Sequence, residues 1–111
     1  MAGVHPYSFR WLMTALLLGA MAARADPAGA ALYEKNCLPC HGPDGRARTP
    51  AARKLRAKDL TESRLPDADI ARQIASGKKD AAGKERMPAF RPDLADAEIA
   101  ALVGFVKSLR K

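Results

Sequence analysis

Residues able to do chemistry are scarce in this chain. It has two cysteines, two histidines and four methionines among 111 residues. Beyond residue 25 these reduce to Cys37, Cys40, His41 and Met87. No catalytic base, nucleophile or substrate pocket can be read, so the chain is not expected to be an enzyme. Apolar–polar alternation of the strand kind is absent, which argues against a β fold. There are no internal repeats. Only one long apolar run occurs, at the N-terminus, so no stable membrane insertion of the remainder is expected. No aromatic residue sits among the basic ones, which argues against nucleic-acid binding.

The apolar run has the form of an export signal. Arg10 precedes Trp11–Ala23, and Ala23-Arg24-Ala25 is a small-x-small cleavage pattern. The run is short for a membrane span, which needs roughly 20 residues. The expected organisation is a cleaved signal peptide over residues 1–25 and a single domain over residues 26–111, with the periplasm as destination. Retention of the leader as an anchor is the alternative. Arg10 and Arg24 are the leader's only charged Lys, Arg, Asp or Glu residues, so the formal charge falls from +7 to +5 on cleavage. A domain of that size buries a modest core and benefits from a staple.

The chemistry concentrates in Cys37-Leu38-Pro39-Cys40-His41. Cys-x-x-Cys-His is the haem c attachment pattern, in which two thiols join the porphyrin and the adjacent imidazole reaches the iron. One haem c held through Cys37 and Cys40 is therefore expected, with His41 as one axial ligand. Met87, followed by Pro88, is the remaining candidate for the other face, and Met/His is a known axial pair. Pro88 disfavours helical geometry at Met87 and points to an extended backbone. Zinc or thiol redox chemistry is the alternative for the cysteines. Zinc lacks a good fourth ligand here, and a thioredoxin-like motif lacks its neighbouring sheet.

Three helices are expected. Asp26–Asn36 opens with Asp26 as N-cap and Pro27 at the first position, and repeats Gly29, Leu32, Tyr33 and Asn36 at helical spacing. Asp67–Ser76 carries Ile70 and Ile74 and ends at Gly77. Asp96–Leu109 has the apolar stripe Ile99, Leu102, Val103, Val106 and Leu109, with acids at its start and bases at its end. A short helical turn over Ala51–Leu55 follows Thr49-Pro50. Gly42–Leu60 otherwise reads as loop, as does the charged stretch Lys78–Arg86. Tyr33, Phe90 and Phe105 read as packing residues.

Taken together, these features resemble a small bacterial class I cytochrome c. The resemblance rests on Cys37-x-x-Cys40-His41, on Met87-Pro88 46 residues after His41, on Gly29 and Tyr33 ahead of Cys37, and on the terminal helix with Leu102 and Phe105. It implies an all-α fold in which the N- and C-terminal helices cross, with loops wrapped around one covalently attached haem. Gly29 would permit the close approach, and Tyr33 would meet Phe105 or Leu102. It further implies that a backbone carbonyl beside a proline holds the second nitrogen of His41, for which Thr49-Pro50 is the candidate. No tyrosine remains to partner the sulfur of Met87. The basic cluster Arg46–Lys58 is expected to include a propionate partner.

The function implied is one-electron transfer by a soluble periplasmic carrier, with iron cycling between ferrous and ferric states. Two ionised propionates would lower the charge to about +3, which still suits redox donors and acceptors with acidic docking surfaces. A monomer is expected. The alternatives are a haem-based small-ligand binder or sensor with a displaceable sixth ligand, and an electron-transfer subunit of a larger redox enzyme.

Overall fold

A computed structural model describes Gly3 and residues 27–111. The leader, its cleavage site and the Asp26 cap lie outside the described residues.

The fold is built on two crossing helices, α1 (Pro27–Asn36) and α5 (Asp96–Ser108). Gly29 lets them touch: a Cβ there would sit 2.5 Å from the Ala101 carbonyl oxygen and 3.2 Å from Phe105 Cβ. Any side chain at that position would force the helices apart. One turn later Tyr33 stacks on Phe105, with ring centroids 4.7 Å apart and planes tilted by 39°. Tyr33 and Leu102 are the largest fully buried side chains among the described residues, at 2% and 0% exposure. Burying each such apolar side chain contributes roughly 1.5–3 kcal/mol. The apolar stripe of α5 lies in this same core, and Glu98 caps the helix by accepting from the Ala95 N–H at 2.9 Å.

The helix α4 (Asp67–Ser76) packs on α5 through Ile70, Ile74 and Ala75. Its expected bounds and its stop at Gly77 are both observed. Between α1 and α4 the chain forms α2 (Leu38–His41), α3 (Pro50–Leu55) and a single 3-10 turn at Leu60–Glu62. Thr49 caps α3 by accepting from the Ala52 N–H at 3.0 Å, so the expected turn begins one residue earlier, at Pro50. Asp59 caps the 3-10 turn, accepting from the Thr61 N–H at 2.9 Å and its hydroxyl at 2.7 Å.

Lys78–Arg86 is not a plain loop. Lys78–Lys79 (β1) and Glu85–Met87 (β2) pair antiparallel in a small ribbon. These strands are too short and too charged to show apolar alternation. Their pairing comes instead from a turn organised by the Asp80 side chain, a local signal that hydropathy does not carry. The architecture remains all-α apart from this ribbon.

Candidate functional site

Cys37, Cys40, His41 and Met87 line one cavity of about 920 Å³. That lies toward the top of the general range for cofactor pockets, roughly 300–1,000 Å³. Its apolar walls include Leu55, Leu60, Ile70, Ile74, Phe90 and Val106. The four predicted site residues are separated by up to 50 positions in the chain and are brought together by the fold.

The first three arrive on the turn that leaves α1. The Cys37 N–H donates to the Tyr33 carbonyl at 2.8 Å, and the His41 N–H to the Cys37 carbonyl at 2.8 Å. The motif is thus wound directly onto the helix that crosses α5. The Tyr33 hydroxyl closes the unit by donating to the Gly42 carbonyl at 2.6 Å. Burial holds the Tyr33 phenol well above its ordinary range, with the Cys37 and Asp44 charges acting the same way.

His41 is anchored through one ring nitrogen. Its Nδ1 lies 3.1 Å from the Lys58 carbonyl oxygen, which makes Nδ1 the donor and leaves Nε2 for the cavity side. Burial lowers the imidazole pKa, and the Lys58 bond partly opposes that. The ring is therefore kept neutral, as a ligand must be. The anchoring carbonyl differs from the expected one at Thr49-Pro50, for a definite reason. The Thr49 carbonyl accepts the Arg53 N–H at 3.1 Å as the first bond of α3. The Thr49 hydroxyl donates to the Cys40 carbonyl at 2.7 Å. Thr49 is thus fully committed to capping and to bracing the motif.

Met87 reaches the same cavity from a different segment, at the end of β2. Gly77 makes this possible. Its φ is +71°, and a Cβ there would collide with the Met87 carbonyl and the Pro88–Ala89 backbone. Phe90 and Arg91 then hydrogen-bond the last carbonyls of α4, to Ile74 at 3.0 Å and Ala75 at 3.2 Å. The Met87 sulfur has a partner that sequence reasoning missed. Gln73 Nε2 donates to it at 3.7 Å, a distance suited to a weak sulfur acceptor. The available signal was a polar residue between Ile70 and Ile74, near the apolar face of α4.

The basic cluster is only partly at the site. Arg56 and Lys58 line the cavity, whereas Arg46, Arg48, Arg53 and Lys54 do not. Arg64, just beyond the cluster, and Lys78, Lys79 and Arg86, from the ribbon, line it as well.

The thiol chemistry also discriminates. Burial, aided by the neighbouring Cys40, pushes the Cys37 thiol up to about 11. Redox-active thiols of Cys-x-x-Cys motifs are depressed instead. Among the described residues no group of three His, Cys, Asp or Glu side chains is placed to hold a metal ion. The cysteine pair, the neutral histidine and the large apolar cavity fit one covalently attached haem.

A cavity of this chemistry, beside a pair of crossing terminal helices, defines a small c-type cytochrome. A family model described as cytochrome c oxidase, cbb3-type, subunit III matches residues 24–106, and the chain belongs to that family. No curated protein matches. Among solved structures, the chain is similar to the KustC0563 c-type cytochrome, at 31% identity and a TM-score of 0.66 over 75% of this chain and 98% of that one. It is also similar to a chain of the Kuenenia stuttgartiensis reducing HAO-like protein complex Kustc0457/Kustc0458, at 25% identity and a TM-score of 0.65. That alignment covers 78% of this chain and 43% of the other. Cytochrome c6 of the diatom Phaeodactylum tricornutum aligns at 28% identity and a TM-score of 0.51, over 73% and 88% of the two chains. The protein is thus a small c-type cytochrome, an electron carrier or electron-transfer module.

Proposed function

We propose that this chain passes single electrons through a haem held by Cys37 and Cys40, with His41 and Met87 as its axial ligands. One observation carries the reading: all four side chains line a single cavity, His41 arriving on the turn after α1 and Met87 at the end of β2. Haem supplies the ferrous/ferric couple when bound. The protein's own contribution is to orient both ligands and to surround the site with apolar side chains. The Lys58 carbonyl sets the imidazole plane and its tautomer. Gln73 directs an N–H at the Met87 sulfur, which places a partial positive charge beside the site and disfavours the ferric state.

We further infer that the chain works as the electron-transfer module of a larger redox assembly. The family description and the likeness to part of a longer chain in the Kuenenia complex favour this reading. A freestanding periplasmic carrier is the second reading, favoured by the near-complete coverage of the small KustC0563 cytochrome. In either case the cavity-lining cations Arg56, Lys58, Arg64, Lys78 and Lys79 suit an acidic partner surface. No helix among the described residues is long and apolar enough to cross a membrane. Export through cleavage after Ala25 is part of this reading, and the mass of the mature protein tests it.

The deciding experiment compares visible spectra of the holoprotein and a Met87→Ala variant. Low-spin bands and a weak long-wavelength sulfur–iron band that the variant lacks would establish the ligand pair. A high-spin spectrum insensitive to the substitution would overturn it and favour an open-site ligand binder. Co-purification of the tagged chain with a larger redox partner separates module from free carrier.

A further inference from the structure

The ribbon that delivers Met87 contains a defect. Its register pairs Lys78 with Met87 and Lys79 with Glu85, which leaves Arg86 without a cross-strand partner. This is a β-bulge, and a bulge resets the alternation of side chains along its strand. The residue directly after it is Met87. The direction in which Met87 points therefore depends on whether the bulge holds its place.

Asp80 holds it. Its Oδ1 accepts from the Ala82 N–H at 3.0 Å and the Lys84 N–H at 2.9 Å. Its Oδ2 accepts from Arg86 Nε at 3.1 Å and lies 2.9 Å from a terminal guanidinium nitrogen of Arg86. The Asp80 N–H donates to the Lys84 carbonyl at 2.9 Å, and the Gly83 N–H to the Asp80 carbonyl at 2.9 Å. One carboxylate thus closes the tip of the ribbon and pins the bulged residue. The side chains of Arg86 and Asp80 are only 21% and 27% exposed. Among the described residues every other ion pair has a partner at least 42% exposed. Half-buried, geometrically paired charges resist screening better than exposed ones.

We propose that Asp80 and Arg86 are positioning residues for Met87: their ion pair locks the bulge, and the bulge aims the thioether into the cavity. This rests on the reading that Met87 is the axial ligand. The flank after Met87 is tied to α4 by backbone hydrogen bonds and to the core by the Phe90 side chain, and the flank before it is held by the Asp80–Arg86 pair. Without the pair the bulge is free to migrate along a ribbon of five residues, and a shift of one position reverses the facing of Met87.

The test uses the full-length holoprotein with Asp80→Ala, Arg86→Gln, Arg86→Lys and Met87→Ala. Expected for Asp80→Ala is loss of the sulfur–iron band and carbon monoxide binding to the ferrous form several-fold faster than in wild type. Arg86→Gln should move both readouts the same way, and Arg86→Lys should restore most of the wild-type behaviour. Helix content is expected to stay unchanged, since α1, α4 and α5 do not depend on the ribbon. A merely structural ion pair would lower the unfolding midpoint and leave the carbon monoxide rate untouched. Retention of the band and of wild-type carbon monoxide kinetics in Asp80→Ala, with loss in Met87→Ala, overturns this proposal alone. A wild type lacking the band, or a band that survives Met87→Ala, overturns the ligand reading and this proposal with it. Should Asp80→Ala yield no holoprotein, Arg86→Gln decides on the same criteria, because it leaves the carboxylate turn intact.

Discussion

The two walls of the cavity are built from different materials. The histidine wall is continuous with the core: Cys37–His41 is wound onto α1, α1 is locked against α5 through Gly29 and Phe105, and Tyr33 reaches back to the Gly42 carbonyl. The methionine wall is a ribbon of charged residues held by one carboxylate and by the end of α4. Local stability follows buried apolar contacts, and regions with few of them open first. The two proposed ligands therefore sit on supports of unequal stiffness, and Met87 is the one expected to yield under stress. A carrier gains from this arrangement, because a potential can be tuned at one ligand without loosening the fold.

The harshest way to break the contrast is to attack the shared core. Leu102→Ala at a fully buried site should cost about 3–4 kcal/mol, read as a large fall in the thermal unfolding midpoint of both walls together. If the midpoint barely moves, the helix crossing is not the element that carries the histidine wall. A milder cut is Tyr33→Phe, which removes the shorter of two hydrogen bonds to the buried Gly42 carbonyl and leaves it only the Gly45 N–H at 3.2 Å. It should cost roughly 1–2 kcal/mol in urea unfolding while the sulfur–iron band persists. Loss of that band would mean that the walls are coupled more tightly than their separate construction implies.

Acid provides a third handle. Hydrogen bonds from Thr61 hold the Asp59 carboxyl below its usual range, and hydrogen bonds from Lys84, Ala82 and Arg86 do the same for Asp80. A depressed carboxyl pKa contributes stability that is fully present above the unfolded value, about 3.9. That stability is lost as pH falls through the lower folded value. The spectrum should therefore stay constant from neutrality to about pH 4 and change only below it, checked by acid titration of the oxidised protein. A transition well above pH 4 would show that a group other than these two carboxylates governs the spectrum. The smallest expected effect is Gln73→Leu. It removes a weak donor to the Met87 sulfur, so the reduction potential should fall slightly with little change in stability, as measured by potentiometric titration. An unchanged potential would show that the 3.7 Å contact does not tune the site.

Much of the architecture is legible in the amino-acid sequence. The α4 bounds, the α5 stripe and the roles of Gly29 and Tyr33 are encoded by short-range rules of spacing, capping and side-chain size. The four cavity residues are legible because no others of their kind remain beyond the leader. The ribbon is not legible, since a side-chain-organised turn between short charged strands has no hydropathy signature. The His41 anchor is misplaced by sequence reasoning because any carbonyl is chemically equivalent in sequence. The Thr49 carbonyl is committed to α3, and the loop fold brings Lys58 instead.

The sequence by itself determined which residues could attach and ligate a haem, because covalent attachment depends on residue types at fixed local spacing. It also determined where the main helices begin and end, because caps, prolines and apolar periodicity act within a few residues. Only the tertiary structure decided which carbonyl meets His41, which amide meets the Met87 sulfur, and which cations ring the cavity. Those are contacts between segments far apart in the chain, and they are selected by how the helices cross and how the loops close around the space between them.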